Sequence, residues 1–322
     1  MGVNLKDIVD AKQINYADLS GKTVAVDALN SLYQFLASIR QPDGTPLMDS
    51  KGNVTSHLSG LLYRTTNLIK FGIKPVYVFD GEPSELKKKT LQKRREAKEE
   101  AQKKWEQAKS EGRIDDALKY SKRTSKLTRE MGDEAKKLLT YMGVPWTQAP
   151  SEGEAQCTHI VLRGDAYAVA STDYDSPLFG APHLVRGLTM SGKMELSQLD
   201  LEDTLKKLEL TREQLIDVAI LVGTDFDDGV YGLGPKKALK TVKEGGIGEL
   251  QLDFNLDDIR DVFLNHPVTD EYDINYRKID EDGLVNLLSN EHDFNIERVK
   301  RAATELSKAY RENTQQNISK WF

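Results

Sequence analysis

The order of apolar and helix-favouring stretches along this 322-residue chain predicts an α/β fold, a largely parallel sheet covered by helices on both faces. Short runs rich in Val, Ala and aromatic residues, KTVAV (22–26), KPVYVF (74–79) and AYAVAS (166–171), read as buried strands. Helical stretches such as 55–71 and 133–142 alternate with them, and each strand runs into an acid: Asp27, Asp80 and Asp173. In a parallel sheet those three ends share one edge, the edge at which open α/β folds bind ligands.

The composition suits a folded domain. Apolar residues make up 39% and charged residues 30% of the chain, and 322 residues allow one large domain or two. No apolar run is long enough to span a bilayer, and MGVNLKDIVD does not have the pattern of a secretory signal. The single cysteine, Cys157, excludes a disulfide framework and reads as a small buried side chain, which points to a reducing, intracellular compartment.

Net charge is −6, but it is unevenly spread. Residues 87–129 hold 16 Lys and Arg against 7 Asp and Glu, which leaves the remainder with a net −15. Such asymmetry points to a basic element that meets a polyanion. The surrounding stretch, 83–131, has helix-forming composition but too few large apolar residues for a core-facing stripe. It reads as a projecting helical arch, with a merely solvated helical face as the alternative. Residues 41–53 (QPDGTPLMDSKGN) read as a surface loop.

The acids carry the chemistry. Besides Asp27, Asp80 and Asp173, Asp175 completes STDYD, Asp225 follows the helix-like segment 213–222, and Glu152 and Glu154 open another helix in APSEGEAQ. Each alone has an ordinary explanation; Ser151 with Glu154, for instance, matches a helix capping box. Gathered at one edge, these carboxylates would repel and could not all remain ionised without cations. All-oxygen ligands select Mg²⁺ or Mn²⁺, whereas His57, His159, His183, His266 and His292 lack zinc-ligand spacing. Two ions about 4 Å apart suit in-line attack of water on a phosphodiester. No Gly-rich phosphate loop of the NTPase type is present. In VYGLGPKKALKTVKEGG (230–246), Gly232 and Gly234 turn the chain into a helix bearing Lys236, Lys237, Lys240 and Lys243. A helix start of that kind binds phosphate without reading sequence, although an ordinary capped glycine turn has the same pattern.

The blocks VAVDALNSLYQFL, KPVYVFDGEPSELK, APSEGEAQ, ASTDYDSPLFGAP and LVGTDFDDGVYGLGPKKAL resemble, in order and over nearly the whole chain, the XPG-type 5′-nucleases, specifically the flap endonucleases. The resemblance implies the PIN-like 5′-nuclease fold: a twisted, mainly parallel sheet flanked by helices, a helical arch over 83–131 and a helix-hairpin-helix DNA-binding element over 216–246. It implies metal ligation by Asp27, Asp80, Glu152, Glu154, Asp173, Asp175 and Asp225, some acting through water. Lys87 and Arg94 match a basic pair facing the scissile phosphate; two helical turns apart, they would project from one face roughly 10 Å from each other. Tyr33 matches an aromatic on which a base stacks, and Gly2 a small residue near the DNA junction. Thr55 and Arg64 match residues that embrace a 3′ flap and the upstream duplex, with a helix cap and a surface arginine as the plain alternative. Gly232, Gly234, Lys236 and Lys237 would hold DNA phosphate, and the backbone carbonyls of Gly229, Val230 and Leu233 a K⁺ ion. Thr172 and Pro177 depart from the family's usual Gln and Leu, which bears on the support of Asp173 and Asp175.

The terminal QQNISKWF (315–322) fits the sliding-clamp-binding peptide, with Gln315, Ile318, Trp321 and Phe322 as anchors. The domain expectation is therefore a single nuclease domain over 1–312 and a flexible tail over 313–322. A tail that stops at this motif matches the archaeal form and implies a cytoplasm without a nucleus. The expected activity is 5′-flap endonuclease with 5′-exonuclease on nicked or gapped duplex, by a monomer using two Mg²⁺ or Mn²⁺ ions, in lagging-strand maturation and repair. The alternatives are a sibling XPG-type nuclease for bubbles or four-way junctions, a D-x-D phosphatase, and a non-enzymatic clamp adaptor.

Overall fold

A computed structural model of the chain describes residues 2–121, 124–189 and 195–319. Among these the sheet has seven strands: β1 (Lys12–Gln13), β2 (Thr23–Asp27), β3 (Lys74–Phe79), β4 (Trp146–Gln148), β5 (Ala168–Ala170), β6 (His183–Arg186) and β7 (Ser197–Asp200). Their order is β1-β7-β6-β5-β2-β3-β4. The run from β6 to β4 is parallel, and β7 and β1 add an antiparallel margin. The three strands expected from the sequence are the central ones. Residues 24–27 of β2 and 75–79 of β3 are buried without alternation, as strands covered on both faces must be. The strands that escaped notice are short: HLVR pairs with SQLD in register, His183 with Asp200. With only three apolar residues between them and the ends polar, their place is fixed by pairing with an existing sheet.

Against one face of the sheet lie α1 (Ala28–Ser38) and α2 (Ser56–Lys70), which pack on each other through Leu32, Phe35, Leu58 and Leu61 in a single buried cluster. The arch follows. A 3-10 turn over Glu85–Lys87 leads into α3 (Lys88–Ser110), Gly112 reverses the chain in the left-handed region, and α4 (Ile114–Ser121) folds back on α3. Ala101 and Ala108, small enough for close helix approach, are buried there. The arch is shorter than the expected 83–131, because α5 (Arg129–Tyr141) starts where the Thr128 hydroxyl accepts the Met131 N–H at 3.3 Å.

Beneath the sheet's centre, α6 (Gly153–Leu162) buries Cys157 and Ile160 against Ala25 and Val78. A separate cluster joins α7 (Asp175–Phe179), α8 (Leu201–Leu208), α9 (Arg212–Val222), α10 (Pro235–Lys243) and α11 (Leu256–Leu264). Helices α12 (Glu281–Val285) and α13 (Ile296–Ser319) return to the first face. Residues 313–319, within the expected tail, continue α13, and RENTQQNIS contains no Gly or Pro to stop a helix. Trp321 and Phe322 lie outside the described residues.

The contact of α1 with α2 is close enough to need glycine. A Cβ on Gly60 would overlap the Phe35 side chain, which is fully buried. Gly60→Ala should therefore destabilise the protein by about 1–3 kcal/mol through overpacking, despite alanine's better helix propensity, and a shifted denaturation midpoint would register it. An unchanged or raised midpoint would mean that Phe35 has room to move.

Candidate active site

The acids of the central strands meet at the carboxyl edge of the sheet, each with its own local reason for being there. Asp27 ends β2 and caps α1, its Oδ1 accepting the Asn30 N–H at 2.9 Å. Asp80 follows β3 and accepts the Gly153 N–H at 3.0 Å, so closely that a Cβ on Gly153 would strike its carboxylate. Glycine between Glu152 and Glu154 is thus a requirement of the site. Asp173 and Asp175 follow β5; Asn30 Nδ2 donates to Asp173 at 3.1 Å, and the Val3 N–H donates to Asp175 at 2.8 Å. Gly2 lies against the same carboxylate, where a Cβ would overlap it. Glu154 accepts the Ser176 hydroxyl at 2.9 Å. It is not half of a capping box, because Glu152 occupies the cap position and Ser151 bonds instead to the Glu82 carbonyl.

Crowding and lost hydration act together on these acids. Asp27 and Glu154 are held well above the ordinary carboxylate range, first by burial and then by their neighbours Asp80 and Asp175 respectively. Burial likewise raises Asp80 to about 6, with Glu152 adding to it, and Asp175 to about 7, with Asp225 and Asp173 adding to it. Two cations from the arch offset the repulsion. Lys87 Nζ lies 2.5 Å from Glu152 and 3.7 Å from Asp225, and Arg94 pairs with Asp225. Burial disfavours the Lys87 charge, but Glu152 and Asp80 outweigh that and hold its ammonium above the usual lysine value. Among the described residues, no three His, Cys, Asp or Glu side chains stand close enough together to hold a metal ion in this arrangement. The acids are gathered at one edge, with Lys87 and Arg94 set among them.

The remaining expected residues fall into three groups. Tyr33, on α1, faces the arch: the Lys98 ammonium sits 4.6 Å from its ring centre. The farther part of the arch rests on the 41–45 loop through Lys109 and Asp43, 3.1 Å apart. The hairpin between α9 and α10 forms as expected. Gly229 and Gly232 adopt positive φ, Gly234 caps α10, and Lys236 and Lys237 are exposed at its start. The Val230 carbonyl already accepts the Leu233 N–H at 3.0 Å. Thr55 occupies the cap position of α2 but is buried and makes no cap bond, and Arg64 is half-buried farther along that helix. Gln315 and Ile318 lie on the last turns of α13.

The two departures are accommodated. Thr172 donates to Asn30 Oδ1 at 3.0 Å, and its carbonyl accepts the Arg186 guanidinium. Pro177 sits in the first turn of α7, where the N–H it lacks has no helical partner. Asn30, the Val3 N–H, Gly153 and Ser176 support the acids but were not anticipated. Only Asn30 had a sequence signal, standing three residues past a helix-capping aspartate.

A raised carboxylate pKa in the folded state favours folding while protonated. This contribution is complete below about pH 4 and is lost as pH rises through the folded values near 6 and 7. Asp175→Asn keeps an acceptor for the Val3 N–H and removes the charge. In EDTA at pH 8 it should melt on the order of a few degrees above the wild type, with the gap closing toward pH 4. A variant that melts lower at pH 8 would show that the carboxylates are not under repulsive strain.

Comparison with known proteins accounts for this arrangement. Residues 1–101 match the XPG N-terminal domain and residues 143–225 the XPG I-region. Flap endonuclease 1 of Pyrococcus furiosus is 51% identical, covering all of this chain and 99% of the relative. That of Pyrobaculum neutrophilum is 53% identical over 97% of this chain and 95% of its own length. The solved flap endonuclease-1 of Methanococcus jannaschii superposes with a TM-score of 0.81 at 41% identity, covering 96% of this chain and 98% of that one. A carboxylate-lined sheet edge, a basic arch above it and a glycine hairpin beside it are thus found in a chain with full-length likeness to these enzymes, and the chain belongs to the flap endonuclease family of XPG-type nucleases.

Proposed function

We propose that Asp27, Asp80, Glu152, Glu154, Asp173, Asp175 and Asp225 hold two Mg²⁺ ions, replaceable by Mn²⁺, with which the chain hydrolyses a phosphodiester near the junction of a 5′ flap. One observation carries the reading: acidic side chains share one edge, raised by burial and by one another, with cations from the arch as their counter-charge. The donor set fits hard divalent ions, being all oxygen and strongly anionic. Such ions would supply the positive charge that lets water attack the phosphodiester in line.

The chain's own residues supply positioning and charge. Lys87 and Arg94, released from Glu152 and Asp225 when divalent charge arrives, would turn to the phosphoryl oxygens and stabilise the charge that develops there. Tyr33, under the arch, would stack on a base beside the scissile bond. The hairpin, with Gly232, Gly234, Lys236 and Lys237, would grip the downstream duplex by its phosphates, with K⁺ at the carbonyls of Gly229, Val230 and Leu233. Thr55 and Arg64 would meet the upstream duplex and its 3′ flap; for Thr55, which is buried, backbone contact suits better than side-chain contact. The same site accounts for 5′-exonuclease action on nicked or gapped duplex. DNA substrates in solved relatives, such as the Rad2 catalytic core, support a branched-DNA partner. The archaeal relatives support work in a cytoplasm without a nucleus.

Lys87→Ala tests the reading. Its single-turnover rate on a labelled 5′ flap should fall by about 100-fold or more, with affinity for the flap within a few-fold of wild type, because the contact is made mainly in the transition state. Lys119→Ala, remote from the acids, should act mainly on affinity and its salt dependence. Equal and small effects at both positions would leave the arch as a solvated surface.

The clamp contact is tested by deleting 315–322. Flap cleavage by the enzyme alone should persist, while stimulation by the cognate sliding clamp should disappear, and Trp321→Ala with Phe322→Ala should nearly match the deletion. Titration of the clamp with the terminal twelve-residue peptide should give a Kd in the micromolar range, on the order of 10 µM or tighter. No heat at that concentration would remove the clamp from the partners.

A further inference from the structure

A contact that lies outside the expected ligand set joins the arch to the hairpin. Lys93 Nζ donates to both oxygens of Asp228, at 2.7 and 2.6 Å, across 135 residues of sequence. Lys93 lies in the second turn of α3, and Asp228 in the loop between α9 and α10. Three cations at the base of the arch thereby reach one short loop: Lys87 and Arg94 reach Asp225, and Lys93 reaches Asp228. Helical geometry divides them. Arg94 is two turns past Lys87 and shares its face, whereas Lys93 is rotated by about 100° and passes to Asp228, three residues beyond Asp225.

Asp228 is a firm anchor. The neighbouring Asp227 accepts the Gly229 N–H at 2.7 Å and the Thr224 hydroxyl at 2.5 Å, and the Val230 N–H bonds back to the Leu221 carbonyl at 2.9 Å. Gly229, at φ +67°, lies against the backbone of Val222 and Gly223 with no room for a Cβ. The loop is thus bound to the end of α9, and its far side runs directly into Gly232, Gly234 and α10. Divalent ions and a phosphate at the site would compete with Lys87 and Arg94 for Glu152 and Asp225. The contact of Lys93 with Asp228 involves an acid that is not a proposed metal ligand, so loading of the site would leave it in place.

We propose that Lys93 and Asp228 form a positioning pair that fixes the base of the arch to the rim of the DNA-gripping hairpin. It keeps Lys87 and Arg94 over the scissile phosphate once their resting partners are taken by metal, and it ties their placement to the engagement of duplex at the hairpin. The inference rests on the proposed role of Lys87 and Arg94. Both members of the pair are about half exposed, at 53% and 54%, so its effect is a modest rate factor that salt weakens.

A double-mutant cycle with Lys93→Gln, Asp228→Asn and both together decides it, read as single-turnover flap cleavage in Mg²⁺ and as affinity for uncut flap in Ca²⁺. Each single variant should lose about threefold to fivefold in rate, the double variant no more than either single one, and affinity should stay within about twofold. The coupling should shrink at high ionic strength, and the exchange of both charges, Lys93→Asp with Asp228→Lys, should recover rate relative to Lys93→Asp alone. Thermal melts of all variants near the wild-type midpoint would separate positioning from loss of fold. Losses that multiply in the double variant, or that appear in affinity and not in rate, would overturn the proposal. Lys87→Ala, run alongside, separates the two levels of the argument. If it collapses the rate while the cycle shows no coupling, only the pair is wrong; if it leaves the rate intact, the pair has nothing to position and both fall.

Discussion

Mutual repulsion among carboxylates at one sheet edge is the constraint on which the rest of the structure depends. Burial and proximity push Asp80 to about 6 and Asp175 to about 7, and they also hold Asp27 and Glu154 well above the ordinary carboxylate range. A fold gains nothing in stability from such a cluster. It is maintained because the sheet and its helices fix the backbones at that edge through contacts elsewhere. The cost is offset locally by hydrogen bonds from Asn30, Gly153, Val3 and Ser176 and by two cations. Stability given up at one edge in return for affinity toward cations and polyanions is the usual relation between a fold and its functional site.

The arch follows from the same constraint. As an isolated sequence it is a charge-rich helix pair with little to bury, and its two ends are attached by charge. Lys87, Lys93 and Arg94 reach the 225–228 loop at one end, and Lys109 reaches Asp43 at the other. Between these ends Lys98 lies over Tyr33. Exposed ion pairs of this sort are individually weak and are screened by salt, whereas a hydrophobic seam would not be. The arch is therefore attached at both ends by charge and not by a core of its own. A phosphatase for small molecules would need neither the arch nor the hairpin, and full-length likeness to flap endonucleases excludes that reading.

Much of this was legible in the chain. Central strands β2, β3 and β5, the acids that follow them, the basic arch and the glycine hairpin each have local signatures: apolar runs, strand-end aspartates, a charge excess and a GLGP turn. Local chemistry dictates such features, and the structure keeps them with boundaries moved by a few residues, as at Thr128 and Thr211, where side-chain caps start α5 and α9 earlier than the apolar pattern does. The short strands β6 and β7 and the true setting of Glu154 were not legible, because pairing, packing and hydrogen bonds from distant residues decide them.

The sequence by itself determined which residues could carry charge to the site and in what order along the chain. Only the tertiary structure decided how those charges are balanced. Nothing local to Val3 predicts that its N–H steadies Asp175, 172 residues away, or that a Cβ on Gly2 would have no space beside it. Nor does the arch sequence say which of its many lysines meets an acid, since Lys87, Lys93 and Lys98 differ only in the direction they leave the helix and in what stands opposite. Charge acts through distance, and distances between residues far apart in sequence exist only once the chain has folded.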